Sequence, residues 1–224
     1  MANDVYNEYS KRTKISGGWI RLAGFHGIAL ENKKVDFQSG VYYRDNPNTG
    51  KRAYVYATAG TASGRDAWDD VLQPFGLSQQ YAVSINTAQR INRYIQKDES
   101  LTFVGHSLGG GTAAANAMAT GREAITFNAA GVSALTKLKH GLSSKNNQKN
   151  IKAYIIPGEA VDYYQGKMLG STADGKHTYV HPAFGKLNSF SAELVKQTPQ
   201  TIFVRGYLHT MGQMMSALEE SGYN

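Results

Sequence analysis

LTFVGHSLGGGTAAANAMAT, residues 101–120, is the stretch on which the fold turns. Its first five residues form a short, nearly continuous apolar run, as in a buried strand. Its last ten are small helix formers, so they predict a helix that can sit close to a sheet. Between the two, Gly105-His106-Ser107-Leu108-Gly109 fits G-x-S-x-G. The pattern alone is common; strand, sharp turn and helix around it define a nucleophile elbow. Such a turn forces an awkward backbone angle at Ser107 and crowds its flanks, which Gly105 and Gly109 relieve by lacking a side chain. The hydroxyl is then held above the sheet edge at the positive end of the helix. The plainer alternative is a Gly-rich turn with Ser107 as a helix cap.

The flanking segments extend the same architecture. Tyr81, Ile85, Ala88, Ile91 and Ile95 recur at spacings of three and four, predicting an amphipathic helix over residues 80–99. ITFNAAG (125–131), IKAYIIPG (151–158) and TIFVRG (201–206) read as further buried strands. Upstream, the run from Phe37 to Tyr43 and the run RAYVYATAG flank DNPNTGK, an Asn/Pro/Gly turn that predicts a hairpin. Alternating strand and helix predict an α/β fold with a mostly parallel central sheet flanked by helices, here of the α/β-hydrolase type. The 224 residues make one domain. Residues 1–35, polar and aromatic-dotted with a Gly pair at Gly17 and Gly18, read as an entry segment that could carry a helix. Residues 132–150, with Lys137, Lys139, His140, Lys145 and Lys149, read as an exposed basic insertion: a solvated loop, or an electropositive rim facing an anionic substrate.

Composition narrows the chemistry. A hydrophobic fraction of 41% excludes wholesale disorder. With no Cys there is no disulfide framework, thiolate metal site or cysteine nucleophile. The formal charge of +7 favours anionic partners, a phospholipid surface among them, or simply a solubilising surface. No run approaches the roughly 20 apolar residues of a membrane span. The first residues lack the basic-then-apolar order of a signal peptide. A cytoplasmic location, or export by a dedicated secretion system, is therefore expected.

A serine nucleophile needs a base. Of six histidines, His209 stands where a base is expected, past the late strand TIFVRG and after the nucleophile in the chain. His181 is its main competitor. His106 lies inside the elbow, where its side chain is expected to point away; His26, His140 and His177 are less well placed. A carboxylate just past a strand should orient the base. PGEAVD offers Glu159 and Asp162, and spacing does not separate them; Asp174 is more remote. The alternative for either acid is helix capping. The oxyanion donors expected are the Leu108 backbone N–H and, from the loop after RAYVYATAG, Thr61.

These features resemble the class 3, fungal-type lipases and their bacterial phospholipase A1-like relatives, over roughly residues 37–220. GHSLGGGTAAANA looks like the family's elbow, ATAGT like its oxyanion strand with Ala59 in place of the usual Arg, and DAWDD like the segment whose Asp66, Trp68 and Asp69 brace that loop. ITFNAAG is similar to the strand usually ending in Asn-Pro, with Ala129 for Pro. GYLHTMGQMMSAL looks like the closing histidine segment. The resemblance implies a serine hydrolase of lipid esters: Ser107 as nucleophile, His209 as base and, since Asp is the usual acid, Asp162 ahead of Glu159.

It also implies phospholipid or glyceride substrates at a membrane surface, no cofactor and no metal. An exported toxin of this kind would have a protein inhibitor in its producer. VLQPFGLSQQY (71–81) could supply a short lid, although core packing is the simpler reading. Rival readings are an inactive hydrolase-fold binding protein and an acyltransferase or small-ester esterase with the same triad. Nucleic-acid binding by the basic loop lacks aromatic interleaving and any motif.

Overall fold

Side chains alternate along the central strands, so each strand feeds two apolar layers. A computed structural model describes residues 1–7, 11–60, 74–142, 148–164, 172–181 and 208–223. Strands β1 (Thr13–Lys14), β2 (Ile20–Arg21), β3 (Glu31–Asn32), β4 (Phe37–Asp45) and β5 (Arg52–Thr58) precede helix α1 (Pro74–Tyr94). Then follow β6 (Ser100–His106), α2 (Leu108–Thr120), β7 (Glu123–Phe127), α3 (Ala134–Lys139), β8 (Ile151–Ile155), α4 (Ala160–Tyr164), β9 (Lys176–Tyr179) and α5 (Met211–Glu220). The sheet order is β1-β2-β4-β5-β6-β7-β8-β9, with β3 on β4. Strands β5 to β9 are parallel. The predicted hairpin is present: β4 and β5 pair antiparallel from Ser39 opposite Thr58 to Asp45 opposite Arg52. This is the largely parallel, helix-flanked sheet expected of an α/β-hydrolase-like fold.

The parallel strands lie side by side in chain order. Crossovers of one hand then fall on one face of the sheet. That face holds Tyr56, Leu101, Phe103 and Ala124 of the strands with Tyr81, Ile85, Ile91 and Ala113 to Ala115 of α1 and α2. The opposite face must be covered by chain lying outside those crossovers. Near β4 to β6 it holds Tyr42, Val55, Ala57 and Val104 with Val5, and Met1, Tyr6, Ile15 and Trp19 pack against them. Near β8 it holds Ile156 and Val180 with Leu208, Met214 and Ala217 from the α5 region.

The described residues of the entry segment thus cover this face of the sheet, and the helix expected of that segment is present only as short 3-10 turns at Asp4–Tyr6, Ser16–Gly18 and Lys33–Val35. Val5 is fully buried. The Arg21 Nη1 donates to the Asp4 carbonyl at 2.9 Å and pairs with its carboxylate at 3.3 Å. The Tyr42 hydroxyl donates to the same carboxylate at 2.8 Å. Local sequence hides this role, because the segment is largely polar and its apolar residues follow no period.

Three other boundaries differ from expectation. Helix α1 begins at Pro74 and ends at Tyr94, short of residue 99. A Pro is well tolerated in the first turn, and beyond Tyr94 the chain turns, with the Glu99 carboxylate taking the Gln96 N–H at 2.9 Å. Strand β9 was not foreseen, since KHTY carries little apolar signal. In the basic segment, Leu135 and Leu138 are 74% and 80% exposed, yet Val132 and Leu142 are buried. Lys137 is an internal strut: its Nζ lies 2.5 Å from Asp174, which also accepts from Val132 N and Gln148. The predicted strand at 201–206, Lys145 and residues 71–73 of the candidate lid lie outside the described residues.

If the N-terminal segment is core, Val5→Ala should lower the unfolding free energy by about 1–3 kcal/mol in urea titration. A surface residue would give a change within about 0.5 kcal/mol.

Candidate active site

Ser107 sits at the junction of β6 and α2 with φ 59° and ψ −128°. A positive φ at a non-glycine residue of this kind costs on the order of 1–3 kcal/mol and persists only where the surroundings enforce it. Here they do. Ser107 N donates to the Phe127 carbonyl at 3.1 Å, and its own carbonyl accepts from Gly111 N and Ala130 N. A Cβ on Gly105 would lie 2.1 Å from the Gly109 carbonyl oxygen, and one on Gly109 would lie 2.3 Å from the Thr58 carbonyl oxygen. The two glycines of the motif are therefore contact surfaces between β5, β6 and the first turn of α2. Ser107 is 8% exposed.

His209, directly before α5, is also 8% exposed. Its ring lies against that of His106, with centroids 4.7 Å apart. Its Nδ1 hydrogen-bonds Oε2 of Glu159, which is buried at the carboxyl end of β8. Both Glu159 oxygens also accept backbone N–H groups from the first turn of α4, Val161 at 2.9 Å and Asp162 at 2.6 Å. Asp162 turns back instead, and its carboxylate accepts Gly158 N at 3.0 Å. The pair forms a reciprocal variant of a capping box. One carboxylate thus both caps α4 and hydrogen-bonds the His209 ring.

His106 points toward His209, and its Nε2 contacts the His209 carbonyl at 2.6 Å. The only partner able to pair with a carbonyl is an N–H, so His106 carries its proton on Nε2. Burial, and secondarily the neighbouring His209, push its pKa down to about 3. Asn128, fully buried with φ 42°, completes the cradle. Its Nδ2 donates to the carbonyls of Leu208 and His209 at 3.3 and 3.4 Å, while its Oδ1 accepts Ile156 N at 2.9 Å. One side chain thus ties together the ends of β7 and β8 and the Leu208–His209 segment. A buried Asn ending an apolar strand was the signal available in ITFN.

The other histidines lie in other settings. His26 stacks on Tyr94 at 4.1 Å. His177 Nε2 contacts the Ala173 carbonyl at 2.6 Å. His140 follows α3 as its C-cap, and His181 is exposed after β9. Leu108 opens α2 and is buried. Thr61, Asp66, Trp68 and Asp69 lie outside the described residues. Just before them, Gly60 N donates to the Tyr6 hydroxyl at 2.8 Å. Among the described residues there is no group of three or more His, Asp or Glu that could hold a metal, and no helix is long and apolar enough to cross a membrane.

Fold and elbow geometry define an α/β-hydrolase-like chain, and comparison with known proteins narrows the class. Residues 1–209 match the family described as phospholipase-like, Tle-like phospholipase domain. The chain belongs to that family, rather than to the fungal-type lipases specifically. It is also 35% identical over 182 residues to the extracellular phospholipase A1 of Serratia liquefaciens. The alignment covers 78% of this chain and 53% of that protein, so the chain spans about half the length of this relative.

A histidine held neutral when folded leaves a signature in acid. The unfolded chain takes up a proton at His106 below about pH 6.5, and the folded chain does so only near pH 3. Its stabilising contribution is complete above pH 6.5 and is lost as the pH falls toward 3. Wild type should lose up to about 1.4 kcal/mol per pH unit more than His106→Gln across that window, measured by urea unfolding at successive pH values.

Proposed function

We propose that this chain is a serine hydrolase of phospholipid carboxylic esters, of the A1 type, with Ser107 as nucleophile, His209 as base and Glu159 as the acid that orients it. The observation that carries the reading is the Glu159–His209 Nδ1 hydrogen bond beside the strained elbow. It leaves Nε2 of His209 as the nitrogen able to take a proton. The family and the Serratia phospholipase A1 support the substrate class. The formal charge of +7 suits an anionic lipid surface better than a neutral glyceride.

In this mechanism Ser107 Oγ attacks the ester carbonyl as its proton passes to His209 Nε2. Glu159 holds the imidazole by its Nδ1–H and offsets the positive charge that develops. The Leu108 N–H and Thr61 are the proposed donors to the oxyanion, each worth roughly 3 kcal/mol in the transition state. Collapse of the tetrahedral intermediate expels the lysolipid oxygen, which takes the proton from His209. Water, deprotonated by His209, then releases the fatty acid and restores Ser107. His106 and Asn128 act behind the base, holding the His209 carbonyl so that the ring faces the elbow. Because the relative is described as extracellular, we extend the reading to action on membranes outside the producing cell.

Purified protein, incubated with mixed phosphatidylglycerol and phosphatidylcholine vesicles and with emulsified triglyceride, should release fatty acid and lysophospholipid. Ser107→Ala and His209→Ala should abolish release. Glu159→Gln should lower kcat by about 10³–10⁴-fold, as loss of an orienting acid does in serine hydrolases. Asp162→Asn should leave kcat within a few-fold, at about 1 kcal/mol of lost cap stability. If Asp162→Asn is the variant that abolishes turnover while Glu159→Gln turns over normally, the assignment of the acid is reversed.

A further inference from the structure

The N-terminal residues reach the elbow. A Cβ built on Gly60 would lie 2.9 Å from the Tyr6 hydroxyl, 3.0 Å from the His106 carbonyl oxygen and 3.4 Å from Ser107 Cβ. Tyr6, Gly60 and the nucleophile therefore converge on one point. The Gly60 N–H is satisfied by the Tyr6 hydroxyl at 2.8 Å. Gly60 is the last described residue before Thr61, which the proposed mechanism uses as an oxyanion donor.

The segment bearing Tyr6 is itself fixed. Val5 is fully buried, and Val5 N donates to the Met1 carbonyl at 2.9 Å. Asp4 is held by Arg21 and Tyr42. Gln38 joins the two sides of the contact: its side chain donates to the Val5 carbonyl at 2.9 Å, and its backbone carbonyl accepts Ala59 N at 3.0 Å. One residue of β4 thus sets the separation between Val5–Tyr6 and Ala59–Gly60. Burial raises the phenol pKa, so Tyr6 remains a neutral hydroxyl at working pH.

We propose that Tyr6 is a positioning residue of the ester-cleaving site, latching Gly60 beside Ser107, one residue ahead in the chain of the proposed oxyanion donor Thr61. The inference rests on the serine-hydrolase reading above. Oxyanion donors act in the transition state, and a displacement of under 1 Å weakens them steeply. Loss of the latch should therefore appear in kcat and not in substrate binding.

Tyr6→Phe removes one hydroxyl and keeps the ring packed in its apolar layer. On phosphatidylglycerol vesicles it should lower kcat about tenfold with KM within twofold, and slow labelling of Ser107 by a fluorophosphonate in proportion. Thermal midpoint should move by less than a few degrees, and the Gly60 amide should exchange faster with deuterium. Gln38→Ala should lower kcat in the same direction, and the double variant should fall short of the product of the single effects. Unchanged kcat in Tyr6→Phe, unchanged Gly60 exchange, or a kcat loss explained by a smaller folded fraction would each overturn the proposal. Wild-type turnover that survives Ser107→Ala would instead strike the serine-hydrolase reading, and Gly60 exchange would then judge the latch by itself.

Discussion

The positive φ of Ser107 is the constraint on which the surrounding structure depends. An L-residue stays there only if every neighbouring path is blocked or bonded. Phe127, Gly111 and Ala130 supply the backbone hydrogen bonds, and the bare Cα atoms of Gly105 and Gly109 let β5 and α2 close in. In return the elbow fixes where β7 ends and where the segment after it must run, since Ala130 is bonded to Ser107 itself. The sheet edge and the Ser107 elbow are thus a single packing problem.

Around that point the polar groups are buried in a chain. Glu159 binds His209 Nδ1, the His209 carbonyl rests on His106 and Asn128, and Asn128 reaches Ile156 at the end of β8. Buried groups of this kind are costly unless each finds a partner. The network is nearly closed, so the His209 ring is held from both its Nδ1 and its backbone carbonyl. The same logic extends to the other side of the elbow. There the Tyr6 hydroxyl accepts the Gly60 N–H beside Ser107.

Much of the scaffold was legible in the chain. Hydrophobic periods located α1, β6, α2, β7 and β8, and the turn residues located the β4–β5 hairpin, because these elements carry their own apolar pattern. Strand β9 did not show itself, since Lys176, His177 and Thr178 give no strand pattern until Val180 is reached. Nor did the packing of Val5, Tyr6, Ile15 and Trp19 against the sheet, because these apolar residues are scattered through a polar segment with no period.

The sequence by itself determined the strand–turn–helix elbow at Ser107 and the parallel sheet that presents it, together with a short set of candidate bases and acids. Local spacing is enough for those features, because a strand, a glycine-flanked turn and a helix are set by neighbours in the chain. Tertiary structure decided which carboxylate meets His209. Glu159 and Asp162 are three residues apart on one helical turn, and only the direction of that turn against the end of β8 separates them. It also decided that His106 faces inward and that Tyr6 reaches Gly60, contacts spanning 103 and 54 positions. No local pattern encodes such pairings, because they exist only once the sheet has brought distant segments to the same edge.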